Sequence, residues 1–134
     1  MSFLVPKNQK QVFQKDIMIK RDVEMIGIIN KRGRLTESVG FDSLDMSESK
    51  KEMFLMKIAL RTSMQNDFDE ELGKVNYCMT QRGDRKFISI PAPNNNIILA
   101  VIKNDSDHKK LINNIIQTLN SDQFVDILFK GGGH

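Results

Sequence analysis

Two short stretches of this sequence are apolar at every position, and they constrain the fold more than any other feature. Residues 25–29 read MIGII and residues 97–102 read IILAVI. Successive residues of a β-strand point to opposite faces of its sheet, so a strand that is apolar throughout must be covered on both faces. We therefore predict that both stretches are central strands of one sheet, with a helix layer on each face.

Three lighter strands complete the predicted sheet. Strands are predicted at residues 25–29, 35–39, 74–81, 86–91 and 97–103. The first two form a hairpin across a turn at residues 30–33, and the last three form a meander. The segments RLTESV and KVNYCMTQ are polar on one face, as edge strands are. Joining the two apolar strands in the middle gives the order 2-1-5-4-3, a mainly antiparallel five-stranded sheet of the α/β (α+β) class.

Helices are predicted before, between and after these strands. Residues 7–20 carry one apolar stripe, formed by Val12, Phe13, Ile17 and Met18. A long helix begins after an N-cap at Asp45 or Ser47 and runs to about Asp67. A last helix begins after Asp105 or Ser106. Its apolar residues at helical spacing are Leu111, Ile112, Ile115, Ile116 and Leu119.

The long helix has more apolar surface than one sheet requires. At about 100° per residue, Met53, Met56, Leu60 and Met64 fall on one face. Phe54, Leu55 and Ile58 fall on much of the opposite side. One face can pack on the sheet, and the other needs a second cover. Core packing beneath the terminal helices or long loops is one possibility, and we favour a protein partner. Which of the two faces packs on the sheet stays open.

Length, charge and cysteine content exclude several classes of protein. The 134 residues are read as one domain over residues 1–120 and an amphipathic tail over residues 121–134, and whether its final Gly131–His134 is native stays open. Twenty Lys and Arg against seventeen Asp and Glu give a net charge of +3, dispersed along the chain, so we expect no nucleic-acid partner. The longest apolar run has six residues, so we expect no membrane span. The single cysteine fits a cytoplasmic protein.

No set of residues has the pattern of a catalytic or metal site. His108 lies close to Asp105 and Asp107, but no third ligand has suitable spacing, so we assign this stretch to helix capping. Cys78 has no catalytic partner near it and is interpreted as a small buried hydrophobe. Gly33 stands alone, which excludes a glycine-rich phosphate loop. We therefore predict a protein that is not an enzyme and has no cofactor.

The order of elements resembles a known family. The pattern of helix, two strands, helix, three strands and helix, together with the hairpin MIGIINKRGRLTESVG, resembles the Roadblock/dynein light chain family, a profilin-like sandwich. The segment from FLMKIALRTSM to RKFISIP is more similar to uncharacterised archaeal members. PAS, GAF and longin domains have related layouts, and they stay open as alternatives.

The resemblance implies a function as well as a fold. Roadblock proteins are homodimers that pair through the long helix and the adjacent edge strand, here residues 74–81, and they act as scaffolds or regulators of small Ras-like GTPases. The expected interface is Met53, Met56, Leu60, Met64, Val75, Tyr77 and Met79. The alternative is a small-molecule-sensing domain of the PAS or GAF kind, which would hold its ligand between sheet and helix.

Overall fold

The computed structural model describes residues 23–119, and the elements within that range follow the predicted order. The strands are β1 (Val23–Ile29), β2 (Leu35–Val39), β3 (Cys78–Arg82), β4 (Arg85–Ala92) and β5 (Asn96–Lys103). The helices are α1 (Glu48–Gln65), α2 (Asp69–Leu72) and α3 (His108–Leu119). The helix predicted at residues 7–20 and the tail predicted at residues 121–134 lie outside the described residues.

The strands form one antiparallel sheet in the order β2-β1-β5-β4-β3, as predicted. β5 lies at the centre, where Ala100 is the partner of both Ile26 in β1 and Ile88 in β4. The two strands that are apolar throughout are therefore neighbours, and each has a further strand on its other side. Their double-faced apolar pattern is explained by the helix layers, because α3 packs on one face of the sheet and α1 packs on the other.

The α3 face of the sheet is almost entirely aliphatic. Its strand residues are Val23, Ile26, Ile28, Ile88, Ile90, Ile98, Ala100 and Ile102. From α3, the buried Leu111, Ile112 and Ile115 pack against them, and Ile116 and Leu119 are partly buried at the margin. These are the five apolar positions that the helical spacing of the last segment predicted.

The α1 face is built from the alternate residues of the same strands. Its strand residues include Met25, Ile29, Ile97, Leu99 and Val101. From α1, the buried side chains are Leu55, Ile58 and Ala59. Phe41, in a 3₁₀ turn over Phe41–Ser43, and Leu44 close one side of this cluster. The face of the long helix that packs on the sheet, which the sequence left open, is thus the one with Leu55 and Ile58.

The strand predicted at residues 74–81 is shorter and begins later than expected. β3 starts at Cys78, which pairs with Ser89 of β4, and residues 74–77 are not in a strand. In this register, one more pair would bring the ladder to Ile90 and the next to Pro91. Proline has no backbone N–H to donate, so the ladder ends before it.

The helix ends also differ in part from the prediction. Ser47 is the N-cap of α1, since its hydroxyl accepts a hydrogen bond from the Lys50 amide, and this excludes Asp45. α1 ends at Gln65, before a 3₁₀ turn over Asn66–Phe68 and the short α2. For α3, the prediction of Asp105 or Ser106 as N-cap is wrong. The side chain of Asp107 accepts the hydrogen bond from Lys110, because the helix begins one residue later, at His108.

Candidate functional site

The outer face of α1 exposes a row of large apolar side chains. We call Met53, Met56, Leu60 and Met64 the outward stripe. Their exposed fractions are 52, 55, 60 and 59%. They lie opposite Leu55 and Ile58, whose side chains pack on the sheet. The side of α1 with Phe54, Leu55 and Ile58 therefore packs in the core. The outward stripe is the face that would need a second cover.

Two side-chain hydrogen bonds connect one flank of α1 with the edge strand β3. The guanidinium of Arg61 donates to the hydroxyl of Thr80 across 3.5 Å, and the thiol of Cys78 donates to the side-chain oxygen of Gln65 across 3.2 Å. Cys78 and Thr80 therefore face the helix. β3 pairs with β4 alone among the described strands, so its outer edge has backbone groups without a strand partner in that part of the chain.

The structure brings together only some of the residues expected at the interface. Met79 pairs with Ile88, which belongs to the α3 core cluster, so Met79 faces away from α1. Val75 and Tyr77 precede β3 and are not strand residues. Tyr77 and Met79 are each 39% exposed, and Val75 is half-buried. The four residues of the outward stripe form one surface, and the three residues from the 74–81 segment lie at or beyond the edge strand.

Two further exposed apolar residues were not singled out from the sequence. Phe68 is 59% exposed and Leu72 is 80% exposed, just after the end of α1. The signal that could have identified them is their spacing of four residues, which places two side chains on the same side of a helical turn.

A close contact fixes the middle of α1 against the β1–β2 turn. Gly33 in that turn is buried, and its backbone has φ 82°. A Cβ atom added there would lie 2.6 Å from the Cα of Met56. The turn is held in place by the side chain of Asn30, which accepts hydrogen bonds from the amides of Arg32 and Arg34. The position of Met56 in the outward stripe thus depends on a glycine at residue 33.

The residues weighed for chemistry are placed apart from one another. His108 lies at the start of α3, where its Nδ1 is 3.0 Å from the Nζ of Lys86. Cys78 is on the other face of the sheet, beside Gln65. Within residues 23–119, no group of three or more His, Cys, Asp or Glu side chains is arranged to hold a metal ion. In the same range, no helix has the length and apolar character needed to span a membrane.

The space between α1 and the sheet is filled by side chains except for a crevice of about 40 Å³, which is too small for a ligand of the size that such sensors hold. Ile97, Leu99 and Val101 are buried beneath Leu55 and Ile58. Two grooves, of about 340 and 360 Å³, lie along the flanks of α1 and not beneath it. This arrangement does not favour a ligand held between sheet and helix, which a PAS- or GAF-like sensor would need.

Comparison with known proteins identifies the fold. No protein-family model matches the chain, and no curated protein matches it. Among solved structures, a Roadblock/LC7 domain from Streptomyces avermitilis superposes with a TM-score of 0.63 at 7% identity, covering 82% of this chain and 91% of that one. The gliding protein MglB from Thermus thermophilus superposes with a TM-score of 0.61 at 8% identity, covering 97% and 93%. Profilin IA from Acanthamoeba castellanii gives 0.52 at 10% identity, covering 82% and 93%.

These superpositions confirm the resemblance that the sequence predicted. The chain has a Roadblock-like, profilin-like fold, with the sheet order and helix layers expected of it. At 7 to 10% identity the likeness concerns the fold, and it assigns no activity.

Proposed function

We propose that this protein is a non-catalytic, homodimeric scaffold or regulator, and that it acts in the cytoplasm as the companion of a small Ras-like GTPase. The observation that carries the proposal is the outward stripe on α1. Four large apolar side chains, each more than half exposed, stand in a row on a helix whose opposite face is already buried. On a soluble protein, an exposed apolar surface of this kind marks an interaction site.

The energetics of the outward stripe support a dimer. Burying a whole Met or Leu side chain contributes about 1.5–3 kcal/mol, so burying the exposed half of each contributes roughly 1 kcal/mol. A two-fold axis would double this contribution, because the same four residues of both copies are buried. Further contributions are needed to offset the loss of translational and rotational freedom. Backbone pairing between the outer edges of two β3 strands would supply them, and would join two sheets into one.

Light scattering on the purified full chain tests the dimer. The expected mass is twice 15.4 kDa, and a mass of one chain at micromolar concentration contradicts the proposal. Replacing Met56 and Leu60 by Glu places two charges in the proposed seam and should give a monomer. These residues are 55% and 60% exposed, so the fold should survive the change. Replacing the exposed Asn113 and Gln117 of α3 by Glu is the matched control, and it should leave the dimer intact.

The GTPase companion is proposed from the fold and from the sequence together. The resemblance to Roadblock proteins implies regulation of Ras-like GTPases, and MglB is among the structures that share the fold. The chain has no glycine-rich phosphate loop, so it would act on a GTPase and not as one. The dispersed charge of +3 supports a protein partner over a nucleic acid.

A binding experiment with Ras-like GTPases of the source organism tests this part. Each GTPase is loaded with GDP or with a non-hydrolysable GTP analogue and passed over the immobilised full chain. We expect one of them to bind with an affinity that depends on the nucleotide. Failure of every such GTPase to bind in either state would refute the companion role and leave the homodimer standing. The isolated chain should release no phosphate from GTP above a buffer blank.

A further inference from the structure

The guanidinium group of Arg61 lies between α1 and the sheet, and no carboxylate of residues 23–119 forms an ion pair with it. Arg61 donates from Nη1 to the hydroxyl of Thr80 and from Nη2 to the hydroxyl of Ser89, at 3.5 and 3.1 Å. Its Nε is buried and has no hydrogen-bond partner among residues 23–119. Arginine stays charged at any relevant pH, and hydroxyl oxygens do not neutralise it. The fold therefore places a cation beside two neutral hydroxyl groups, and within residues 23–119 it has no ion-pair partner.

A small crevice of about 40 Å³ opens beside this guanidinium. Its walls are Phe54, Ile58, Phe87 and Leu99, and its polar groups come from Arg61, Thr80 and Arg82. The rings of Phe54 and Phe87 meet edge to face, with centroids 5.7 Å apart. Arg82 is exposed at the end of β3. Two cations and one hydroxyl thus line a crevice of mixed polar and apolar character, and no carboxylate is among its lining residues.

The ion pairs of the described residues do not involve the two arginines of the crevice. Between residues 23 and 119, the ion pairs are Lys51 with Glu48 and Arg85 with Glu24, the latter at 3.4 Å. Glu24 is thus committed to Arg85, the register partner of Arg82. Between residues 23 and 119 neither Arg61 nor Arg82 has an ion pair, and guanidinium groups bind carboxylate, sulfate and phosphate oxygens through parallel N–H donors.

We propose that this crevice is an oxyanion site, in which Arg61 and Arg82 bind a phosphate, sulfate or carboxylate group. The inference goes beyond the proposed function and does not depend on dimerisation. Size limits the ligand, because one water-sized group needs about 10–15 Å³. The crevice holds a few such groups, enough for one free oxyanion or the end of an acidic side chain. It has no room for a nucleotide.

The Nε–H of Arg61 gives a direct readout of this site. In a ¹⁵N–¹H correlation spectrum of the full chain, its cross-peak is assigned by its loss in Arg61→Lys. Sodium phosphate is then added to a chloride buffer at constant ionic strength. We expect a saturable shift of this cross-peak at millimolar phosphate. Arg82→Gln should weaken the binding about tenfold, the loss expected for one charge-assisted hydrogen bond. Arg32→Gln, in the exposed β1–β2 turn, makes the same charge change and should leave the binding unaltered.

Dilution of the protein distinguishes the two sources of the oxyanion. If phosphate has no effect but the cross-peak moves on dilution together with the molecular mass in the natural chain and in Arg32→Gln, and not in Arg82→Gln, the site is occupied by a carboxylate of a second copy. That result also supports the oxyanion site. A cross-peak that responds neither to phosphate nor to dilution would show that water alone fills the crevice, and it would overturn the proposal. An equal response in Arg82→Gln and Arg32→Gln would overturn it as well.

Discussion

Gly33 shows how a single residue positions the surface proposed for dimerisation. Its φ of 82° lies in the left-handed region, and a Cβ there would meet the backbone of Met56 at 2.6 Å. Gly83, in the β3–β4 hairpin, also has a positive φ of 58°, but no atom lies within 4 Å of its hypothetical Cβ. Both glycines need a positive φ, but only at Gly33 would an added Cβ atom overlap a neighbouring element.

We predict that Gly33→Ala destabilises the protein more than Gly83→Ala. The left-handed conformation costs an alanine roughly 1–2 kcal/mol at either position. At residue 33 the steric overlap with α1 adds a cost of overpacking, typically about 1–3 kcal/mol. Urea unfolding of the two variants measures the difference. Equal midpoints, at an unchanged slope, would show that the turn moves away from α1 at little cost.

The sequence predicted which side chains of α1 share a face but not which face is buried. Met53, Met56, Leu60 and Met64 form one stripe, and Leu55 and Ile58 belong to the other. Both stripes are apolar enough to pack on a sheet, because Met and Leu are ordinary core residues. The choice depends on shape at the sheet surface and on Gly33, and neither is visible in helical periodicity.

Among the elements, the central strands were the most predictable. A strand that is apolar at every position needs cover on both faces, and this condition, together with the hairpin and the meander, places β1 and β5 next to each other. The edge strand β3 was predicted four residues too early, at residue 74. Its start depends on Pro91 in β4, which is far away in sequence and limits the pairing only once the register is known.

α3 offers a test of how one helix covers its face of the sheet. Ile115 is fully buried against the strands, whereas Ile116, its neighbour in sequence, is partly exposed. We predict that Ile115→Ala costs about 3 kcal/mol, within the usual range for a large-to-small change in a core. Ile116→Ala should cost roughly 1 kcal/mol, because less apolar area is lost. Denaturant unfolding of both variants measures this, and a similar cost at both sites would contradict the packing of α3.

The molecule has an apolar cluster on each face of one sheet, and the outward stripe of α1 is a third apolar surface, which is exposed. The sheet order and both layers followed from strand patterns, because burial on two faces leaves a mark in the sequence. The identity of the partner is not visible in the sequence. An exposed apolar stripe indicates that a cover is needed, while its identity depends on a surface that belongs to another molecule. The oxyanion crevice was invisible for a similar reason, since Arg61 and Arg82 converge only in three dimensions.

The proposed dimer predicts that the thermal stability of the folded chain depends on protein concentration. Association stabilises only the folded state, so a hundredfold rise in concentration above the dissociation constant adds up to about 2.7 kcal/mol. We expect the thermal midpoint of the natural chain to rise with concentration. The variant with Met56 and Leu60 replaced by Glu should unfold cooperatively at one midpoint throughout, because both side chains are exposed in the single chain. The variant with Asn113 and Gln117 replaced by Glu should keep the dependence. A midpoint of the natural chain that stays constant over the same range would contradict a dimer whose folding and association are linked.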